Sequence, residues 1–224
     1  MSQEKWAAVD RYISDLFVPA DPDLDAVLRA SEEAGLPAIN VSPTQGKLLM
    51  LLALAQRARK VLEMGTLGAY STIWLARALP ADGRLITLEV DPAHASVARR
   101  NVARAGVEGV VEVRLGPALE SLPRLEAEGA GPFDLVFIDA DKPSNAEYFA
   151  WAVRLSRPGT LIVVDNVVRD GEVIDEASDD PQVQGVRRFN EALASERRVV
   201  AIEVQTVGSK GYDGFAIALV KAPD

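Results

Sequence analysis

The chain has 224 residues, 48% hydrophobic and 25% charged, with a formal net charge of −9 at pH 7. That is an ordinary composition for a globular protein with a full core, and the negative balance argues against nucleic-acid partners, which need clustered Lys and Arg. With no cysteine and a single histidine, His94, the chain has no disulfides, thiolate zinc sites or cysteine nucleophile, and no histidine-based metal site.

The first residues, Met1-Ser2-Gln3-Glu4-Lys5-Trp6, lack the basic region and apolar core of a signal peptide, and no apolar run is long enough to span a bilayer. A soluble cytoplasmic protein with no membrane partner is expected. Apolar spacing predicts helices over 5–17, 24–34 and 43–58, outside the pattern that follows. From about residue 60, strand and helix alternate: strand 61–64, helix 71–79, strand 84–89, helix 92–105, strand 110–115, helix 118–128, strand 133–138, helix 145–155 and strand 160–164. Asp91 followed by Pro92 is a good start for the second of these helices. Such alternation implies a parallel sheet with helices on both faces. The last third reads as a helix over 183–195 and strands over 199–207 and 214–220, joined through Gly208-Ser209-Lys210-Gly211 as an antiparallel hairpin at the sheet edge. The expected organisation is one α/β domain over 1–224, with N-terminal helices over 1–58 and the α/β core over 60–224.

The chemistry is concentrated at the strand exits, where an open parallel sheet binds ligands. The first strand runs into Glu63-Met64-Gly65-Thr66-Leu67-Gly68-Ala69-Tyr70-Ser71. A glycine turn there lets a ligand approach the backbone and the next helix N-terminus, but G-x-G-x-x-G is missing, and alone this is only a turn. The second strand ends on Glu89, placed for a ribose diol, with Asp91 as the helix cap; the plainer alternative is a solvated Glu89. After the third strand, Gly116-Pro117-Ala118 leaves room for a flat ring. Strands four and five end in Asp139-Ala140-Asp141-Lys142 and Asp165-Asn166. One such acid would do no more than end a strand. Two successive exits with hard oxygen donors point to a divalent cation, and a lysine beside it is a candidate general base. Trp6, Trp74 and Trp151 lie on helical patterns as core or interface, and His94 falls on an exposed helix face.

Taken together, Glu63-Met64-Gly65-Thr66, Tyr70-Ser71, Gly116-Pro117-Ala118-Leu119, Asp139-Ala140-Asp141-Lys142, Asp165-Asn166, Gly185-Val186-Arg187-Arg188-Phe189-Asn190 and Asp213-Gly214 resemble the cation-dependent O-methyltransferases that use S-adenosyl-L-methionine, such as the caffeoyl-CoA and catechol enzymes. The resemblance runs from about 41 to 220. It implies the class I methyltransferase fold, a Rossmann-like sheet of seven strands with the last one reversed. It implies Asp139, Asp165 and Asn166 as ligands of Mg²⁺, with Mn²⁺ and Ca²⁺ equally served by such donors, and Lys142 as the catalytic base. Glu63, Gly65, Ser71, Glu89, Ala118, Asp139 and Asp141 fall on the cofactor side. The acceptor it implies is a small phenolic molecule, a vicinal diphenol, and the assembly a homodimer.

Two departures stand out. Many relatives read G-T-x-T-G-Y-S where this chain has Gly68-Ala69, so Ala69 must take backbone angles that suit glycine. Arg169 stands where bacterial relatives often carry an aromatic, which makes the substrate mouth more polar and favours an acidic substrate. Competing readings are a nicotinamide-dependent oxidoreductase, disfavoured by the missing glycine fingerprint, and a cofactor-binding methyltransferase fold without catalysis, disfavoured by the intact Asp139, Lys142, Asp165 and Asn166.

Overall fold

The computed structural model describes residues 2–223. Three helices come first, α1 (Gln3–Phe17), α2 (Pro22–Glu33) and α3 (Pro43–Ala55). Asp21 caps α2 by accepting from the Asp23 and Leu24 N–H groups, and Ser42 caps α3 through Gln45 N–H. Each cap is followed by Pro, whose missing donor costs nothing in the first turn. The alternating segment then gives β1 (Lys60–Met64), α4 (Tyr70–Ala76), β2 (Arg84–Glu89), α5 (Pro92–Arg104), β3 (Val111–Leu115), α6 (Ala118–Ala127), β4 (Phe133–Ile138), α7 (Asn145–Arg154) and β5 (Ser156–Asp165). Helix α8 (Pro181–Ser195) and the hairpin β6 (Val199–Gly208) and β7 (Gly211–Val220) complete the chain.

The strands form one seven-stranded sheet in the order β3-β2-β1-β4-β5-β7-β6. The first five pair in parallel; β7 runs antiparallel to both β5 and β6. This is the class I methyltransferase sheet, with the reversed hairpin expected from the sequence. Strand β5 is longer than the apolar run suggests. Its start, through Pro158-Gly159, reads as a loop, yet Ser156 pairs with Phe133 across a register shift.

Alternation along the strands sorts side chains to two cores. Leu62, Met64, Val136, Ile138, Ile162 and Val164 pack with Leu122 of α6, Phe149 of α7 and Phe189 of α8. Val61, Leu135, Phe137 and Val163 face Leu24, Leu49, Ala53, Ile73 and Trp74, from α2, α3 and α4. The same alternation puts Glu63, Asp139 and Asp165 on that second face. Helices α2 and α3 therefore cover the face on which these acids lie. Among the described residues no helix is long and apolar enough to cross a membrane.

Candidate active site

The exits of β1, β2, β3, β4 and β5 open into a cavity of about 760 Å³, within the range usual for small-molecule sites. Gly65, Ser71, Glu89, Ala118, Asp139, Asp141, Lys142 and Asn166 all line it, so eight of the expected residues meet in one space. Thr66, Leu67, Tyr70, His94, Leu119, Tyr148, Arg169 and Gln182 join them; the sequence reading assigned a ligand-side role to none of these except Arg169.

Gly65 sits against backbone in the turn after β1. Its φ is +94°, and a Cβ there would lie 2.1 Å from the Asp139 carbonyl oxygen. Beyond it, Leu67 and Ala69 also adopt left-handed backbone, with φ of 50° and 69°, so Ala69 does take the glycine-like angles its position demands. Glu89 holds this turn in place: its Oε2 accepts from Leu67 N–H at 2.8 Å and Thr66 N–H at 3.3 Å, and its Oε1 from Asp91 N–H at 2.9 Å. Glu89 is thus buried and bonded, not a solvated strand end. Oε1, with a single accepted bond, keeps acceptor capacity of the kind a diol ligand requires, and Glu89 lines the cavity.

His94 corrects an expectation. It lies half-buried on the cavity wall, its Nδ1 3.8 Å from Glu89 Oε1, and not on an exposed helix face. The reason is the abrupt start of α5: Asp91 caps Ala93 and His94 N–H directly after β2, which turns the first helical turn toward the strand exits.

Glu63 lies one layer behind the cavity, fully buried. Ser71 Oγ donates to its Oε1 at 2.6 Å and Thr72 donates to Oε2, which ties the end of β1 to the first turn of α4. Burial raises its carboxyl pKa to about 7, with the Asp139 charge adding to the rise and the hydroxyl bonds opposing it. A carboxyl raised by folding adds stability that is complete below its unfolded value, here 4.5, and is lost as pH climbs through about 7. The stability gap between wild type and Glu63→Gln, read from urea unfolding at pH 4 and pH 9, should therefore shift by about 3 kcal/mol against wild type at the higher pH. A gap independent of pH would mean that Glu63 titrates normally.

At the exits of β4 and β5 the acids converge. Ile138 pairs with Val164, so Asp139 and Asp165 follow in adjacent register on one face. Lys142 lies in a single 3₁₀ turn, Lys142–Ser144, and is itself buried, with Nζ 2.8 Å from Asp139 Oδ1. Helix α8 crosses close behind it: a Cβ on Gly185 would lie 2.3 Å from the Lys142 carbonyl oxygen, so only glycine lets α8 buttress this turn. Asp141 points back along the turn, accepting from Ser144 Oγ at 2.6 Å and from Tyr148. Burial and then the hydrogen bond to Asp141, with the charge of Asp141 behind it, raise the Tyr148 pKa, which keeps the phenol a neutral donor.

Asp165 is nearly fully buried, and its carboxyl is held well above the usual range, first by burial and then by the charge of Asp139; Lys142 and Gln45 work against the shift. A buried carboxylate and a partly exposed one that repel one another and lie beside a carboxamide suit a hard divalent cation, which would relieve the repulsion. Asp139, Asp165 and Asn166 are the residues that would hold it. Among the described residues no group of three or more His, Cys, Asp or Glu side chains is poised for a metal, so beside the two carboxylates the Asn166 amide would be the further protein donor.

Asn166, with φ of 60°, also lines a second cavity of about 260 Å³ on the far side. Asp10, Ser42, Thr44, Gln45, Asp165 and Lys210 are among its walls. A clasp closes one side. Gln3 of α1 donates to the carbonyls of Gly208 and Ser209 at 3.0 and 3.2 Å, Asp10 accepts from Ser209 N–H at 2.6 Å, and Lys210 donates to Ala38 O at 2.8 Å. None of this was legible in the sequence, because its parts lie at opposite ends of the chain.

Residues 19–219 match the model of the O-methyltransferase family. The chain is 58% identical over 221 residues to a catechol O-methyltransferase of Niastella koreensis, spanning 99% of this chain and 100% of that protein. It is 54% identical over 213 residues to a catechol O-methyltransferase of Mycobacterium tuberculosis, at 95% of each chain. Among solved structures, the O-methyltransferase from Bacillus cereus in complex with SAH superposes with a TM-score of 0.97 at 58% identity, over 98% of this chain and 100% of that one. The O-methyltransferase TomG from Streptomyces achromogenes, involved in tomaymycin synthesis and solved with SAM, gives a TM-score of 0.95 at 53% identity, over 99% and 100%.

Proposed function

Because the chain belongs to the O-methyltransferase family, we propose that it transfers the methyl group of S-adenosyl-L-methionine to one hydroxyl of a vicinal diphenol, with a divalent cation in the site and Lys142 as general base. The observation that carries this reading is the meeting of two cavities at Asn166, with Asp139 and Lys142 on one side and Asp165 on the other. The β1–β3 end of the larger cavity suits the methyl donor; its β4–β5 end, with the second cavity beyond Asn166, suits the acceptor. Bound ligands in two solved relatives, SAH and SAM, support the first assignment.

The donor supplies an electrophilic methyl group, and a bound cation would hold both diphenol oxygens and acidify the hydroxyl that attacks. The chain's own residues then do the rest. Glu89 and the Gly65 turn fix the donor's sugar end, and Ala118 leaves space beside it. Lys142, bonded to Asp139 and backed by Gly185, takes the phenolic proton from its neutral amine form, becoming the ammonium. Helices α1 and α3, with the hairpin clasp, shield the reacting atoms from water. Orienting two reactants in this way is a large share of the rate gain in such a displacement.

The test is methyl transfer from labelled donor to paired vicinal diphenols and monophenols, with Mg²⁺ or with EDTA. Transfer to diphenols alone, lost on chelation and restored by Mg²⁺, is the expected result. Full activity in EDTA would remove the cation, and equal use of monophenols would remove chelation of the acceptor. We also propose a homodimer. Val200, Ile202, Val204 and Leu219 are exposed together on one face of the β6–β7 edge, an apolar surface suited to a second copy. Sedimentation as a 24.1 kDa particle would refute it.

A further inference from the structure

Arg169 is the one charged group of the larger cavity without a partner among the described residues. Asp139 is paired with Lys142, Asp141 with Ser144 and Tyr148, Glu89 with backbone N–H groups, and Asp91 with the start of α5. The guanidinium of Arg169 makes neither an ion pair nor a hydrogen bond there, and its Nε is buried with nothing to bond. A guanidinium presents five donors, and leaving a buried one unmet is unfavourable.

The backbone is built to hold this side chain where it is. Arg169 and Asp170 both have φ of 54°, a costly conformation for residues other than glycine. Asp213 Oδ1 fixes the turn by accepting from Val168 and Arg169 N–H, each at 3.0 Å. The position is at the acceptor end of the cavity. Arg169 follows β5, and the sheet order separates β5 from β2 and its Glu89 by β4 and β1. At strand spacings of about 4.8 Å, that is roughly 14 Å from the sugar end of the site. Asn166, Lys142 and Gln182 line the same cavity.

We propose that Arg169 is a specificity-determining residue that binds an anionic group on the acceptor, so that the preferred substrate class is a vicinal diphenol bearing a carboxylate. A carboxylate matches the planar fork of the guanidinium and gives the buried Nε its acceptor. The inference rests on the diphenol methyltransferase reading above.

The experiment compares kcat/KM for 3,4-dihydroxybenzoate and its methyl ester, and for caffeate and its methyl ester, in wild type, Arg169→Gln and Arg169→Lys, with 4-methylcatechol as a neutral reference. Wild type should favour each acid over its ester by roughly ten- to a hundredfold, the range of a charge-assisted hydrogen bond. Arg169→Gln should collapse that ratio toward one, chiefly through KM for the acid, and Arg169→Lys should restore part of it. The ratio is taken within one protein, so partial misfolding of a variant does not mimic the result. Equal rates for acid and ester in wild type, or a ratio unchanged in Arg169→Gln, would overturn the proposal. So would a weakened donor affinity with the ratio intact, which would assign the guanidinium to the cofactor. Failure to methylate even 4-methylcatechol would bring down the reaction reading itself, and this proposal with it.

Discussion

Replacing Lys142 with Met should lower kcat for methyl transfer by about 10²- to 10⁴-fold, the usual contribution of a positioned base, while the donor still binds within a few-fold of wild type. Methionine keeps most of the length and all of the apolar character of the stem, so the buried slot against α8 stays filled. What it removes is Nζ, the only atom of this side chain that can accept a proton. The neighbouring Asp139 loses its 2.8 Å partner but remains partly open to the cavity, so it need not disrupt the exit of β4. Single-turnover rates and calorimetric binding of the donor, measured together, separate the two effects. Turnover at the wild-type rate would remove the lysine from the mechanism. Loss of donor binding in step with turnover would make its role one of shaping the cavity.

Gly65→Ala should be the most damaging single methyl group in the molecule. The added Cβ meets the Asp139 carbonyl oxygen at 2.1 Å and carbon at 2.8 Å, both backbone atoms that cannot swing aside, and φ is +94°. The left-handed penalty and the overpacking together amount to about 2–5 kcal/mol of stability. The exits of β1 and β4 must part, which moves the turn proposed to hold the donor and the Asp139 carboxylate at once. Donor affinity should fall at least about tenfold, the equivalent of 1.4 kcal/mol, and the melting temperature should drop with it. An unchanged dissociation constant would show that the turn yields elsewhere and that Gly65 does not set the approach of the donor.

Much of this site was readable because its parts obey local rules. Apolar runs that stop at Asp139, Asp165 and Glu89 mark buried strands reaching a ligand face, and Asp91-Pro92 marks a helix start whatever surrounds it. Glu63 shows where such reading loses resolution. A strand-end acid looks the same whether it faces a ligand or, as here, the hydroxyls of Ser71 and Thr72 one layer down. The bend at Arg169–Ile174, the start of β5 and the inward turn of His94 depend on contacts with Asp213, Phe133 and Glu89, which no window of neighbouring residues contains. The second cavity escaped altogether, since Asp10, Gln45 and Lys210 carry no shared motif and meet only in the folded chain.

The clasp between α1 and the β6–β7 hairpin has a consequence for how such proteins diversify. Gln3 and Ser209 stand 206 positions apart, yet their hydrogen bond ties together α1 and the hairpin, both of which wall the second cavity, the proposed acceptor site. A lineage that changes its acceptor by altering the hairpin alone loses the carbonyls and amide that Gln3 and Asp10 grip. The two ends of the gene are therefore bound to drift as a matched pair, and a chimera that exchanges one without the other should inherit neither parent's acceptor.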